Sequence, residues 1–262
     1  MNSSLRTSAS GMMAQQRMID VIANNLANVN TTGFKRSRVS FEDVLYETLQ
    51  GDQSVPNSGA ETVAPIQIGK GVRLAAVMRV HTQGATENTE RPLDIAIEGE
   101  GFFQVELPDG TTGYTRDGSF SISDSGALTT SEGHPLLPSI VIPQDVSAIS
   151  ISDQGIVNAV GAQGTAGAEL GRIELARFLN PSGLLSVGQN EYVETTASGE
   201  AVTGFPQDAG FGRVMQGSLE SSNVEIVQEM TDMIAAQRAY EINAKAISAG
   251  EEMLQSANDL IR

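Results

Sequence analysis

Residues 226–261 read IVQEMTDMIAAQRAYEINAKAISAGEEMLQSANDLI, a stretch without proline. Ile226, Met233, Tyr240, Ile247, Leu254 and Ile261 recur every seven residues without a slip. That spacing places one row along a single helix face and predicts helix-on-helix contact. A companion row, Met230, Gln237, Ala244, Glu251 and Asn258, grows polar toward its end, and Asn223 is available as a cap. At 1.5 Å per residue such a helix runs about 55–60 Å, against a mean of about three turns in globular domains.

The opposite end of the chain carries a matching pattern. Leu5, Met12, Ile19 and Leu26 are seven apart, with Ile22 and Val29 three residues after the last two. Asn2, Ser3 and Ser4 offer caps, while Asn28, Asn30 and Gly33 supply a stop. A second, short helix is predicted from Ser40, which with Asp43 resembles a capping box, to a stop at Gly51. Residues 51–69, with Pro56, Asn57, Gly59 and Pro65, form a connector without periodicity.

The centre reads differently. Val72–Val80, Leu93–Ile97, Phe102–Leu107, Ser119–Ser123, Ile149–Ser152 and Arg172–Phe178 mix β-branched or aromatic residues with polar ones. Between them fall the turns Asp109-Gly110, Asp117-Gly118, Asp124-Ser125-Gly126 and Asp153-Gln154-Gly155. Residues 161–167 read as a surface loop. The expected fold class is α+β: terminal helices, residues 1–33 and 220–262, pairing as a coiled-coil domain; residues 34–71 as a short helix and extended connector; and residues 72–219 as an antiparallel β-domain.

Composition narrows the function. The net charge is −16, and five basic against four acidic residues leave residues 1–50 near neutral at +1. The only basic cluster, Lys35, Arg36 and Arg38, is too small for a nucleic-acid footprint and reads as a solvated turn after the first helix. Cys is absent, which excludes disulfides and thiol chemistry. Gln15, Gln16 and Arg17 interrupt any apolar run after Arg6, so no signal peptide is read there; nor does any segment reach the ~18 apolar residues of a membrane span. On these grounds alone the expectation is a soluble cytoplasmic protein with neither nucleic-acid binding nor direct membrane insertion.

Catalytic patterns fail one by one. His81 and His134 are the only histidines and have no metal-ligand spacing around them. Glu98 and Glu100 flank Gly99 in the manner of an alternating strand edge rather than a glycosidase pair. Gly99 and Gly101 form a GxG with no third glycine and no following helix. Neither active site nor cofactor is expected. The terminal helices then pack either within the chain or between copies, and periodicity alone leaves both open. Two sticky ends on unlike surfaces suit head-to-tail association, which grows an open filament.

Four blocks carry a resemblance. ANNLANVNTTGFKR (23–36) resembles the N-terminal signature of the axial proteins of the bacterial flagellum, the rod, hook and hook-associated subunits. GSLESSNVEIVQEMTDMIAAQRAYEINAK (217–245) resembles their C-terminal signature, and DIAIEGEGFFQV (94–105) and YTRDGSFSIS (114–123) resemble the β core of rod and hook proteins. Within that family, the total length and the stretches FEDVLYETL (41–49) and QIGKGVR (67–73) favour a subunit of the distal rod over the longer hook proteins. Another rod or hook paralogue stays open, as does, from a different class, a secreted β-domain adhesin or adaptor with helical tails.

The resemblance implies a structural subunit that polymerises into a drive shaft around a central export channel. It implies as partners the chain itself in a helical homopolymer, the proximal rod proteins, the hook protein, the P-ring and L-ring proteins, and the flagellar type III export apparatus. It also replaces the cytoplasmic expectation with the periplasm-spanning basal body, reached without a cleaved signal peptide. The helix rows named above become subunit-packing seams. Rods are straight where the similar hooks bend, so the connector, with Val55, Pro56, Gly59, Val63, Pro65 and Ile66, becomes the expected source of stiffness.

Overall fold

The computed structural model describes residues 2–50, 66–143, 146–161 and 168–259. The chain divides into two units: Met1–Leu26, Ser37–Met78 and Ile226–Arg262 form a helical unit, and Ala27–Arg36 with Arg79–Glu225 form a β unit.

In the helical unit, α1 spans Asn2–Ala27 and α2 spans Ile226–Asp259, about 39 and 51 Å long at 1.5 Å per residue. They run antiparallel. Leu5 meets Gly250, Gly11 meets Asn243, and Asn25 bonds Glu229, so the number on α2 falls as that on α1 rises. The α2 row that turns inward is Glu229, Ala236, Asn243 and Gly250, three residues past each seam position; all but the half-buried Asn243 are buried. The expected companion row lies mostly on the other side: Met230, Gln237, Glu251 and Asn258 are exposed. Small and polar residues therefore make the closest contact between the helices. A Cβ on Gly250 would stand 2.7 Å from Cδ2 of Leu5.

The short helix expected from Ser40 to Gly51 is not formed; this segment is strand. Ser37–Asp43 pairs with Val72–Arg79, and Tyr46–Gln50 pairs antiparallel with Ile66–Gly69. The capping signal was local, whereas a lone helix of this length is marginal in water. Val39, Phe41, Tyr46 and Thr48 fit a pleated strand, and hydrogen bonding to a distant partner decides. The strand expected to open the β-domain at residue 72 thus belongs to the helical unit, and the β unit resumes at Arg79.

The β unit centres on a seven-stranded antiparallel sheet. Its order is Leu185–Gly188, Glu191–Val193, Thr112–Thr115, Phe102–Glu106, Leu175–Arg177 and Val202–Gly204, with Leu136–Leu137 also on Phe102–Glu106. Both faces of the central strand are covered. Phe103 packs edge-on to Phe120 at 5.1 Å within a core of Ile95, Ile97, Leu136, Ile173 and Leu175. Phe102 faces a second cluster of Tyr114, Phe178 and Tyr192. Consecutive apolar residues in FFQV follow from that two-sided burial. Val146–Ile151, Ile156–Gly161 and Glu169–Arg172 form a three-stranded sheet, and Ile95–Glu98 pairs with Arg213–Gln216. The 161–167 loop lies, beyond Gly161, outside the described residues.

Candidate assembly surfaces

The two units divide their apolar side chains unequally. Of twenty-seven buried apolar residues among the described residues, only Ala14, Ile22 and Ala236 belong to the helical unit. Of nineteen exposed large apolar side chains among the described residues, Ile122, Val141, Leu179, Leu185, Val187 and Val202 lie in the β unit and the other thirteen in the helical unit. On α2, Val227 and Ile234 stand on the face opposite the inward row and Met230 and Ile242 on its two flanks, with Val227 at 79% and Ile242 at 67% exposure. Elsewhere in the helical unit, Leu45 and Tyr46 are also exposed. A helix that hides a small-residue row and presents branched apolar residues to solvent is incomplete as a monomer.

The sequence-predicted seam falls between these faces. Leu5, Met12, Ile19, Leu26, Met233, Ile247 and Leu254 are half-buried, Ile226 and Tyr240 are exposed, and Ile261 is outside the described residues. Of the connector, Ile66 opens the strand Ile66–Gly69; Val55, Pro56, Gly59, Val63 and Pro65 are outside the described residues. The ends of the connector are held as a ribbon, with Tyr46 opposite Gly69, Thr48 opposite Gln67, and Lys70 3.4 Å from Glu47.

Sequence reasoning missed a polar site inside the β unit. Lys35, read as part of a solvated turn, is buried. Its Nζ donates to Glu220 at 2.5 Å and to the Thr82 carbonyl at 2.8 Å. The same carboxylate accepts from the Gly84 N–H at 2.8 Å and from Arg116 at 3.4 Å. Arg116 in turn donates to the Gly99 carbonyl at 2.9 Å and lies 5.1 Å over the Phe102 ring. Asn223 accepts from the Arg36 N–H and donates to the Val80 and Thr82 carbonyls. Gly33, at φ +67, passes so close to the Asp117 backbone that a Cβ would lie 2.6 Å from its nitrogen, so this crossing admits only glycine. Lys35, Gly99 with Phe102, Arg116 and Glu220 come one from each of the four sequence blocks. Nothing local could have paired Lys35 with a carboxylate 185 positions away.

Burial governs the titration of this cluster. It pushes the Lys35 ammonium below its ordinary value despite Glu220, and lowers Arg116 likewise. His81, edge-on to Phe102 and Tyr192, is pushed down to about 4 by burial and then by the cations Lys35, Arg116 and Arg79. It is an aromatic packing element rather than a ligand. His134 Nδ1 lies 2.7 Å from Glu191, and Glu98 bonds Arg213. Among the described residues, no group of three or more His, Cys, Asp or Glu could hold a metal ion.

The chain is similar to proteins of a known assembly. Three family profiles match: "Flagella basal body rod protein" over residues 5–35, "Flagellar hook protein FlgE/F/G D1 domain" over 96–159, and "Flagellar basal body rod FlgEFG protein C-terminal" over 215–260. The chain is 48% identical to the flagellar basal-body rod protein FlgG of Borreliella burgdorferi, covering 98% of each. Against Caulobacter vibrioides, identity is 45% with FlgG (98% of each chain) and 36% with the paralogue FlgF (98% of this chain, 97% of the relative). The chain belongs to the FlgG family of flagellar basal-body rod proteins. It is a structural subunit of the distal rod, located at the flagellar basal body, and no catalytic family is indicated. Within that one organism the chain is more similar to FlgG than to FlgF. The matched profiles at residues 5–35 and 215–260 coincide with α1 and α2, whose apolar faces the monomer leaves open.

Proposed function

We propose that the helical unit is the polymerising part of this rod subunit. Its helices pair with those of neighbouring copies as coiled coils, building an inner tube around a central export channel with the β unit outside. The observation that carries this reading is the burial contrast among the described residues: three buried apolar residues cannot sustain helices of 26 and 34 residues, and eight large apolar side chains exposed on those helices wait for partners. Burying each half-exposed Ile, Val or Met against a neighbour contributes on the order of 1 kcal/mol. Ile226 and Tyr240 are then true interface positions, and Leu5, Met12, Ile19, Leu26, Met233, Ile247, Leu254 and Ile261 the seams that flank them.

The same reading gives the chain its setting. It leaves the cytoplasm by the flagellar type III export apparatus without a cleaved signal peptide. It then stands in the periplasm-spanning rod above proximal rod proteins, below the hook protein and inside the P and L rings. It works there without enzymatic activity. Among the described residues, no helix is long and apolar enough to cross a membrane. The connector stiffens the rod, with the Tyr46–Gln50 and Ile66–Gly69 ribbon anchoring its ends. Neither the hook-paralogue nor the adhesin alternative has an observation in its favour.

The test is electron microscopy of concentrated protein beside the variant Ile234→Asp/Ile242→Asp. The parent forms rods. The variant, altered only where the monomer is exposed, remains monomeric with its β circular dichroism intact. Rods from the variant at the parent's concentration would sink the proposal.

A further inference from the structure

We propose that Glu220 gates the folding of the β unit: its sheets close only after this residue has reached the buried cluster of Lys35 and Arg116. Among the described residues, Glu220 is the only carboxylate that hydrogen-bonds these two buried cations, and it also caps the Gly84 N–H. Without it the pocket would hold two buried like charges, with Arg79 beside them stacked on Phe34 and Tyr192. A collapsed sheet could not hydrate those charges, and shedding the Lys35 proton would cost free energy while leaving the Arg116 guanidinium charged. The strand that delivers Glu220, Ser218–Glu220, pairs with Thr86–Asn88, and the Glu220 carbonyl accepts the Gly33 N–H at 2.8 Å. One short segment therefore ties the chain's entry into the β unit to its exit, 185 positions apart. The downward displacement of both cations' pKa values by burial agrees with a site that tolerates them only when paired.

The use of such a gate rests on the exported-subunit reading. A chain threaded N-terminus first would stay open through the export of some 220 residues, then close as the last strand emerges. The physics does not rest on it, because the gate operates in a test tube whether or not rods form.

The experiment measures folding and unfolding rates of full-length protein, below the concentration of assembly, from the near-ultraviolet signal of buried Tyr114 and Tyr192. Glu220→Gln is expected to slow folding at least tenfold, since the carboxylate is engaged before the barrier is crossed. Glu98→Gln, which breaks the exposed pair with Arg213, should change neither rate more than twofold. An unchanged folding rate with faster unfolding would reduce Glu220 to an ordinary structural contact and overturn the gate. Should Glu220→Gln fail to fold, Lys35→Met/Arg116→Met/Glu220→Leu, which removes both paired cations with the carboxylate, decides. Recovery of folding assigns the block to uncompensated charge, as proposed, and continued failure assigns it to strand packing and overturns the proposal.

Discussion

The β unit and the helical unit solve the same problem in opposite ways. The β unit wraps two aromatic and aliphatic clusters around a central strand and leaves few large apolar groups outside. The helical unit puts glycine, alanine and asparagine between its helices and turns Val227, Ile234 and Ile242 to solvent. A domain with its own core survives alone. A helix pair without one becomes stable when other copies supply the missing contacts, as in any filament whose subunits fold onto one another. If the helical unit is the polymerising part, as proposed, the cohesive energy of the rod lies between subunits rather than within them.

The largest expected effect separates the units outright. Ile242→Asp should abolish rods while moving the urea midpoint of the monomer by no more than about 0.5 kcal/mol equivalent, because the side chain is 67% exposed. Phe103→Ala should do the reverse in kind. Removing a fully buried ring costs about 3–5 kcal/mol and collapses the β signal without touching the helical surface. Equal destabilisation of the monomer by both substitutions, measured by circular dichroism in urea, would erase the contrast.

Gly118→Ala and Gly33→Ala probe the same tightness without removing anything. A Cβ on Gly118 would lie 1.6 Å from the Ile95 carbonyl oxygen, backbone that cannot swing aside. Either variant should lose several kcal/mol, on the scale of strain and overpacking in a filled core. Thermal melts with unchanged midpoints would mean that the β unit yields more readily than its burial implies.

Much of this division was legible before any coordinates. Heptad rows placed both long helices, and the β-rich runs between Asp-Gly turns marked the centre as β. Those runs located only a minority of its strands: Thr112–Thr115, Ile156–Gly161, Glu191–Val193 and Arg213–Gln216 are among those missed. What sequence could not supply was partnership. Ser40–Gln50 carries a capping signal, yet forms strands because residues 66–79 lie alongside. The inward row of α2 was hidden because Glu229, Asn243 and Gly250 are not apolar, so periodicity of hydrophobic residues pointed to the flank of the contact. Lys35 looked solvated because its carboxylate comes from the far end of the chain. Each miss is a long-range interaction overriding a local preference.

A pH titration sharpens the comparison from the electrostatic side. His81 titrates in the folded β unit at about 4, below its ordinary 6.5. Between those values the unfolded chain binds the proton and the folded one does not, so stability rises with pH there and is lost as pH falls from about 6.5 to 4. The full shift corresponds to on the order of 3 kcal/mol. His81→Phe should flatten that part of the urea-midpoint profile relative to the parent, with the carboxylate contribution common to both. Parallel profiles for the two proteins would show that His81 charges freely.

The smallest effect concerns the helix contact itself, where the sign is informative. A methyl on Gly11 would approach the Asn243 side chain at 3.1 Å, tighter than an ordinary contact. Asn243 is half-buried and ends in an amide that can rotate away, unlike the carbonyl facing Gly118. Against that small cost stands helix propensity, which favours alanine over glycine by about 0.8–1 kcal/mol in a helix interior. If the helical unit is as loosely filled as its burial indicates, Gly11→Ala should stabilise α1 by a few tenths of a kcal/mol. Amide exchange across residues 8–20 of dilute monomer should slow correspondingly, from rates already fast for want of packing. Accelerated exchange in the variant would mean that Asn243 is fixed in place and that the helices interlock closely before assembly. The exposed face of α2 would then be the only surface left for neighbouring subunits to complete.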